Sequence, residues 1–158
     1  MGLKKLFKLL AVQAGVAVLL VFAYLAYDAD AIYRWLSGDV HFGATAPQEC
    51  DLHAGPCTAT MGDGTPVTFA ISPHPIPVMQ QLQLHVSSPR DYKTLNVEIY
   101  GLNMNMGRYS YPLKRTADGN YSGEGMIPSC SGRMDWRANV IAEMPTKRIG
   151  AYFTFSTE

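Results

Sequence analysis

The distribution of apolar and polar positions divides the chain into two unlike parts. From Leu9 to Tyr27 the sequence reads LLAVQAGVAVLLVFAYLAY, 19 residues in which Gln13 is the only strongly polar side chain. As a helix such a run rises about 28 Å, close to the hydrocarbon thickness of a bilayer. A helix buried in a soluble core would usually carry polar positions at helical spacing, and this run has none beyond Gln13. The pattern therefore predicts a transmembrane helix over residues 9–27. A cleavable signal has an apolar region of about 7–15 residues followed by small residues. This run is longer and closes with Tyr24, Tyr27 and Asp28, so an uncleaved anchor is expected.

Beyond the run the period changes from helical to two. Residues 28–49 pass through a possible short amphipathic extension and a Gly/Pro-containing stretch, read as a juxtamembrane linker with little structure of its own. From Cys50 to Glu158 short apolar-rich runs alternate with turn residues. Candidate strands are Cys57–Met61, Val67–Ile71, Leu82–Val86, Leu95–Gly101, Tyr109–Arg115, Tyr121–Ile127, Trp136–Ala142 and Gly150–Phe155. Leu82, Leu84 and Val86 alternate with Gln83 and His85; Leu95, Val97 and Ile99 alternate with Asn96 and Glu98; Trp136, Ala138, Val140 and Ala142 oppose Arg137, Asn139 and Ile141. Gly62-Asp63-Gly64, Ser88-Pro89-Arg90-Asp91, Ala117-Asp118-Gly119-Asn120 and Met144-Pro145-Thr146 supply turns. Eight short strands in about 105 residues predict a mainly β domain over 50–158, an antiparallel immunoglobulin-like β-sandwich preceded by one transmembrane helix.

Composition sharpens this division. The 158 residues carry 13 basic and 13 acidic side chains, a formal net charge of zero, which argues against a nucleic-acid binder. The zero conceals an asymmetry: Lys4, Lys5 and Lys8 precede the apolar run, and every Asp and Glu follows it. From Asp28 onward there are 10 basic and 13 acidic residues, a net of −3. The basic residues 1–8 place the N-terminus in the cytoplasm, with Tyr24, Tyr27, Tyr33 and Trp35 as an aromatic belt at the far interface. The β domain is then expected outside the cytoplasm.

In an oxidising compartment two of the three cysteines should pair. Cys50 and Cys57 in ECDLHAGPC close a small loop, and a Cys57–Cys130 bridge across two strands is equally compatible with the spacing. Cys50, His53 and Cys57 also admit a weaker reading as a metal cluster. His41, His53, His74 and His85 are scattered, and His74 sits in the proline-rich SPHPIPVM with Met79 as a conceivable co-donor.

Methionine is unusually frequent, with eight residues. Met104 and Met106 in GLNMNMGRY are separated by one residue, so on a strand their thioethers project from one face; Met126 and Met134 flank Cys130 in GMIPSCSGRM. Thioether and thiolate donors favour Cu(I), which accepts two or three such ligands. The competing explanation is packing, since methionine is an adaptable core filler. Asn103, Asn105 and Gly107 place the Met pair in a polar strand end or loop, where a core filler has less to fill. No Gly-x-Ser-x-Gly elbow, phosphate-binding glycine loop, His-Glu-x-x-His or Cys-x-x-Cys occurs, so no enzymatic activity is expected.

The segment from Asn103 to Ile141, with MNMG, DGNY, GEGMIPSC and SGRMDWRANV, resembles the YtkA-like and FixH-like group of membrane-tethered periplasmic domains. Met104 and Met106 match that group's Met motif, Gly119 and Tyr121 its turn, and Gly132 and Trp136 its later segment, with Cys130 standing where the group commonly has methionine. The resemblance implies an immunoglobulin-like sandwich and an association with copper handling, including maturation of copper-containing respiratory oxidases. The expectation is thus a single-pass protein of the inner membrane whose periplasmic domain holds or transfers Cu(I). Its ligands are Met104, Met106 and Cys130, with Met126 and Met134 in reserve, and its partners are a copper-transfer or respiratory-complex protein. The rival expectation is a metal-free interaction or assembly module of a membrane complex. A thiol redox protein using Cys50 and Cys57 is disfavoured, because nothing there depresses a thiol pKa.

Overall fold

The structure, a computed structural model, describes residues 2–26, 38–44, 50–117 and 119–158. The chain separates into two compact units, residues 1–39 and 40–158.

In the first unit, helix α1 covers Leu3–Ala26, 24 residues, or roughly 36 Å at the usual rise. Its segment Phe7–Tyr24 has a mean hydropathy of 2.0 and is long and apolar enough to cross a membrane. Large apolar side chains such as Phe7, Leu10, Val16 and Leu20 are exposed around its circumference, so the helix has no polar face of its own. Of the aromatic belt, Tyr24 lies in the helix. Tyr27, Tyr33 and Trp35, and residues 28–37 and 45–49 of the stretch read as a juxtamembrane linker, lie outside the described residues.

The second unit is built from nine strands: β1 Val40–Phe42, β2 Cys57–Thr60, β3 Pro66–Ser72, β4 Gln81–Ser87, β5 Leu95–Gly101, β6 Arg108–Ala117, β7 Asn120–Met126, β8 Met134–Glu143 and β9 Arg148–Thr157. All eight strands expected from period-two alternation are present. The alternation works as anticipated: Val67, Phe69 and Ile71, Leu82, Leu84 and Val86, and Trp136, Ala138, Val140 and Ala142 are buried in one core. Trp136 is wholly buried, and its indole Nε1–H donates to Thr157 Oγ1 at 2.9 Å, which satisfies the one polar atom that burial would otherwise leave without water.

The arrangement departs from two separate antiparallel sheets. The strands form one nine-stranded sheet in the order β1-β9-β8-β5-β6-β7-β4-β3-β2. Strand β6 joins its halves: Arg108 to Leu113 pair with β5, and Lys114 to Ala117 pair with β7 across a register shift. The sheet is mixed, because β1 runs parallel to β9, with Val40 opposite Arg148 and Phe42 opposite Gly150. It curls nearly to closure, and the seam is an isolated bridge between Phe42 and Met61, reinforced by Thr60 N–H donating to the Ala44 carbonyl at 3.1 Å. Glycine permits that approach, since a Cβ at Gly43 would stand 2.1 Å from the Thr60 carbonyl oxygen. Curling relieves the sheet of most of its exposed edge. The β unit therefore starts at Val40 rather than Cys50, because residues 40–42, read as part of a linker, contribute the seam strand.

The outer face of β5 and β8 is less solvated than alternation suggests. Glu98, Asn139 and Ile141 point away from the core yet are 4%, 3% and 1% exposed. On this face Arg108 and Arg148 reach Glu98 at 3.5 and 3.6 Å, and Arg137 lies over the Tyr152 ring at 3.7 Å.

Candidate metal centre

Antiparallel pairing of β3 through β9 sends the loops alternately to the two ends of the sheet. The β3–β4, β5–β6 and β7–β8 loops share one end with the segment that leads into β2. All three cysteines and Met79, Met104, Met106 and Met126 consequently belong to that end, though they are spread over some 80 residues of sequence.

Within it, two loops bring sulfur atoms together. The Cys130 thiol donates to the Met104 thioether with Sγ and Sδ 3.3 Å apart. Met104 is 48% exposed, Cys130 is half-buried, and neither belongs to a strand. Gly101 makes room for this approach. A Cβ there would stand 2.5 Å from the Met104 carbonyl oxygen and 2.9 Å from the Met134 methyl group, so only glycine lets the loop fold back over the end of β5. Leu102 N–H donates to the Asp135 carbonyl at 2.7 Å, which fastens the same loop to the start of β8. At its far side, Gly107 N–H donates to Asn105 Oδ1 at 3.1 Å and the Tyr109 hydroxyl donates to the Met106 carbonyl at 2.9 Å.

The remaining methionines take different positions. Met106 is half-buried and packs against the core, so it does not share an exposed face with Met104. The two lie in a loop, where period two has no hold. Met134 is a core side chain, 2% exposed. Met126, at the end of β7, is exposed, and its carbonyl accepts the Tyr111 hydroxyl. Burial pushes the Tyr111 phenol above its ordinary pKa and keeps it a donor. Among the ligands anticipated from sequence, the structure joins Met104 and Cys130 directly and leaves Met106 and Met134 packed inward.

The other cysteines are committed elsewhere. Cys50 and Cys57 form a disulfide, with Cα atoms 5.8 Å apart, and Cys130 is the free thiol. The cluster reading of Cys50, His53 and Cys57 accordingly gives way to a structural one. The His53 ring braces two neighbouring segments: Ile76 N–H donates to Nδ1 at 3.1 Å, which leaves the proton on Nε2 to donate to the Ser156 carbonyl at 2.6 Å. With both nitrogens engaged, His53 has no lone pair for a metal. His74 and His85 are exposed. Among the described residues, no three His, Cys, Asp or Glu side chains are placed to hold a metal ion together.

The separation of the two sulfurs can be set against what a soft cation bound to both would require. With metal–sulfur bonds of about 2.3 Å, two sulfurs around a trigonal ion stand about 4.0 Å apart and around a linear one about 4.6 Å. At 3.3 Å the pair stands about 0.7 Å inside the first spacing and about 1.3 Å inside the second, so the two side chains would have to move apart to admit an ion. Asn103 was noted in the sequence as part of the polar setting of the Met pair, whereas neither motifs nor periodicity singled out Gly101 or Tyr109, which also shape the loop. Comparison of the chain with protein families, with curated proteins and with solved structures finds no match.

Proposed function

We propose that this protein is a membrane-anchored periplasmic copper-binding protein that holds or transfers Cu(I) through Cys130 and Met104. The observation that carries the reading is the 3.3 Å contact between their sulfurs on two exposed loops. A thiolate and a thioether suit Cu(I) and poorly suit Mg²⁺, Ca²⁺ or Mn²⁺. Exposure of Met104 suits ion exchange with another protein, and Met126, exposed at the same end of the sheet, is the reserve donor of this reading. The reading agrees with the copper association implied by resemblance to the YtkA-like and FixH-like group.

The finer architecture and location follow the same reading. Strands β3, β4, β7 and β6 on one side and β9, β8 and β5 on the other take the ABED and GFC positions of an immunoglobulin-like sandwich, with β1 and β2 as additions that draw the halves together. The Cys50–Cys57 bridge supports an oxidising compartment, and Lys4, Lys5 and Lys8 before the apolar helix support a cytoplasmic N-terminus. Together they favour a single-pass protein of the inner membrane with its β unit in the periplasm.

The test is titration of the full chain in detergent micelles with Cu(I) kept reduced by ascorbate, against a chromophoric Cu(I) chelator. The expected result is one tightly held ion, lost in Cys130→Ser and weakened in Met104→Ala. Equal stoichiometry and affinity in wild type and both variants would end the reading.

One observation favours a metal-free interaction module. Of the large apolar side chains that the described residues of the β unit expose, Met79, Leu102, Met104 and Met126 belong to the sulfur-bearing end, and Phe42 at the seam is the other. In that reading the methionines are contact surface, and Met104→Ala weakens capture of a membrane partner while Cys130→Ser does not.

A further inference from the structure

We propose that Asn103 is the positioning residue of the sulfur pair, its side-chain amide clipping the β5–β6 loop to the segment that follows Cys130. The inference rests on the copper reading above. Asn103 Nδ2–H donates to the Arg133 carbonyl at 3.0 Å, and Asn103 Oδ1 accepts Asp135 N–H at 3.1 Å. Both ends of one amide thus engage backbone groups two residues apart, one just before β8 and one at its start. One partner is a carbonyl and the other an N–H, so a single orientation of the amide satisfies both.

Position in the chain converts this clip into control over the metal site. Asn103 immediately precedes Met104, and Arg133 follows Cys130 by three residues. Between Gly101 and Arg108 the β5–β6 loop has no ladder hydrogen bonds, so its ties to the β8 segment decide where Met104 stands. Those ties are the Leu102 backbone bond and the Asn103 amide. The first anchors the root of the loop, and the second anchors the residue next to the ligand.

Residue chemistry is specific here. Aspartate would set a carboxylate oxygen against the Arg133 carbonyl, replacing a donor with a second acceptor. Serine is too short to span both partners, and leucine offers neither donor nor acceptor. Asn103 itself supplies no soft atom, so its effect on Cu(I) runs through Met104.

The test uses the full chain in micelles with ascorbate and a chromophoric Cu(I) chelator, and reads affinity as a double-mutant cycle. Partners behind a metal ligand typically cost 10–100-fold in affinity when removed, so Asn103→Ala should weaken Cu(I) binding by about tenfold or more. Asn103→Asp should weaken it comparably, because one bond becomes a repulsion. In a Met104→Ala background, Asn103→Ala should change affinity by less than about twofold, since the ligand it positions is gone. A merely structural role would lower the urea midpoint and weaken binding equally in both backgrounds. Wild-type affinity in folded Asn103→Ala and Asn103→Asp, or an equal loss with and without Met104, overturns the positioning role while leaving the copper reading intact. If the wild-type chain takes up no Cu(I), the copper reading fails and the positioning role falls with it.

Discussion

The phenol of Tyr121 closes a two-bond ring on the backbone of Tyr92, accepting Tyr92 N–H at 2.7 Å and donating to the Tyr92 carbonyl at 3.2 Å. Tyr121 is 2% and Tyr92 6% exposed, so water has little access to either backbone group. Strand β7 is thereby tied to the β4–β5 connection, at the end of the sheet away from the sulfur pair. Tyr121→Phe keeps the ring and strands a buried donor and acceptor, which should cost about 1–3 kcal/mol. Urea unfolding measures the loss. Cu(I) affinity should be unchanged, and a variant as stable as wild type would remove the brace from the account.

The disulfide closes a short loop. With Cys50 and Cys57 separated by seven positions, the chain-entropy estimate for the bridge is about 2–3 kcal/mol. Cys50→Ala combined with Cys57→Ala should lower stability by about that amount. His53→Ala should add a further loss, because Ile76 N–H and the Ser156 carbonyl lose their shared partner. Denaturant midpoints of the single, double and triple variants read both effects.

Thiol accounting checks the same region chemically. The oxidised, denatured chain should titrate one thiol, and peptide mapping should place it at Cys130. In the native chain Cu(I) should slow alkylation of that thiol, and Met104→Ala should reduce the protection. Two or more thiols in the oxidised chain, or no protection by Cu(I), would contradict the pairing or the site respectively.

Asp63 gives a pH dependence with a definite sign. Burial alone would raise its carboxyl, but hydrogen bonds from Thr65, including Thr65 N–H to Oδ1 at 3.0 Å, together with the Arg90 guanidinium 2.8 Å from Oδ2, outweigh it and hold Asp63 below the ordinary carboxylate range. A depressed folded-state pKa contributes stability that is fully present above the unfolded value of about 3.9 and lost as pH falls through the folded value. Wild type should therefore exceed Asp63→Asn in stability at pH 7, and the gap should narrow as the pH falls below about 4. A gap that stays constant down the acid limb would show that Asp63 adds no pH-dependent term.

Gly101→Ala isolates the close approach behind the site. The added methyl would meet the Met104 carbonyl at 2.5 Å, so the loop must shift. Cu(I) affinity should fall more than stability does, whereas Gly55→Ala, in open space, should leave binding untouched.

Several features were legible along the chain for reasons that hold locally. Strand β4 declares itself because Leu82, Leu84 and Val86 each meet the core while Gln83 and His85 meet other surroundings, a consequence of the two-residue pleat. The apolar helix is equally legible, because an unbroken apolar run long enough to cross a membrane is read from composition and length alone. Met104 and Cys130 were also legible as soft donors from residue chemistry. Three-residue β1 was not: Val40-His41-Phe42 is too short to display a period, and it becomes a strand only because β9 offers a parallel edge.

Sequence alone thus determined the anchor-like helix, the eight longer strands, their buried faces and the inventory of sulfur donors, since each depends on side-chain chemistry repeated at a fixed local spacing. Tertiary structure decided which cysteines pair, that the sheet curls to a seam at Phe42 and Met61, and which methionine meets Cys130. Those outcomes depend on contacts between segments far apart in sequence. Met104 and Cys130 are 26 residues apart, and nothing in their own spacing specifies the β5–β8 pairing and Asn103 bonds that carry them to within 3.3 Å.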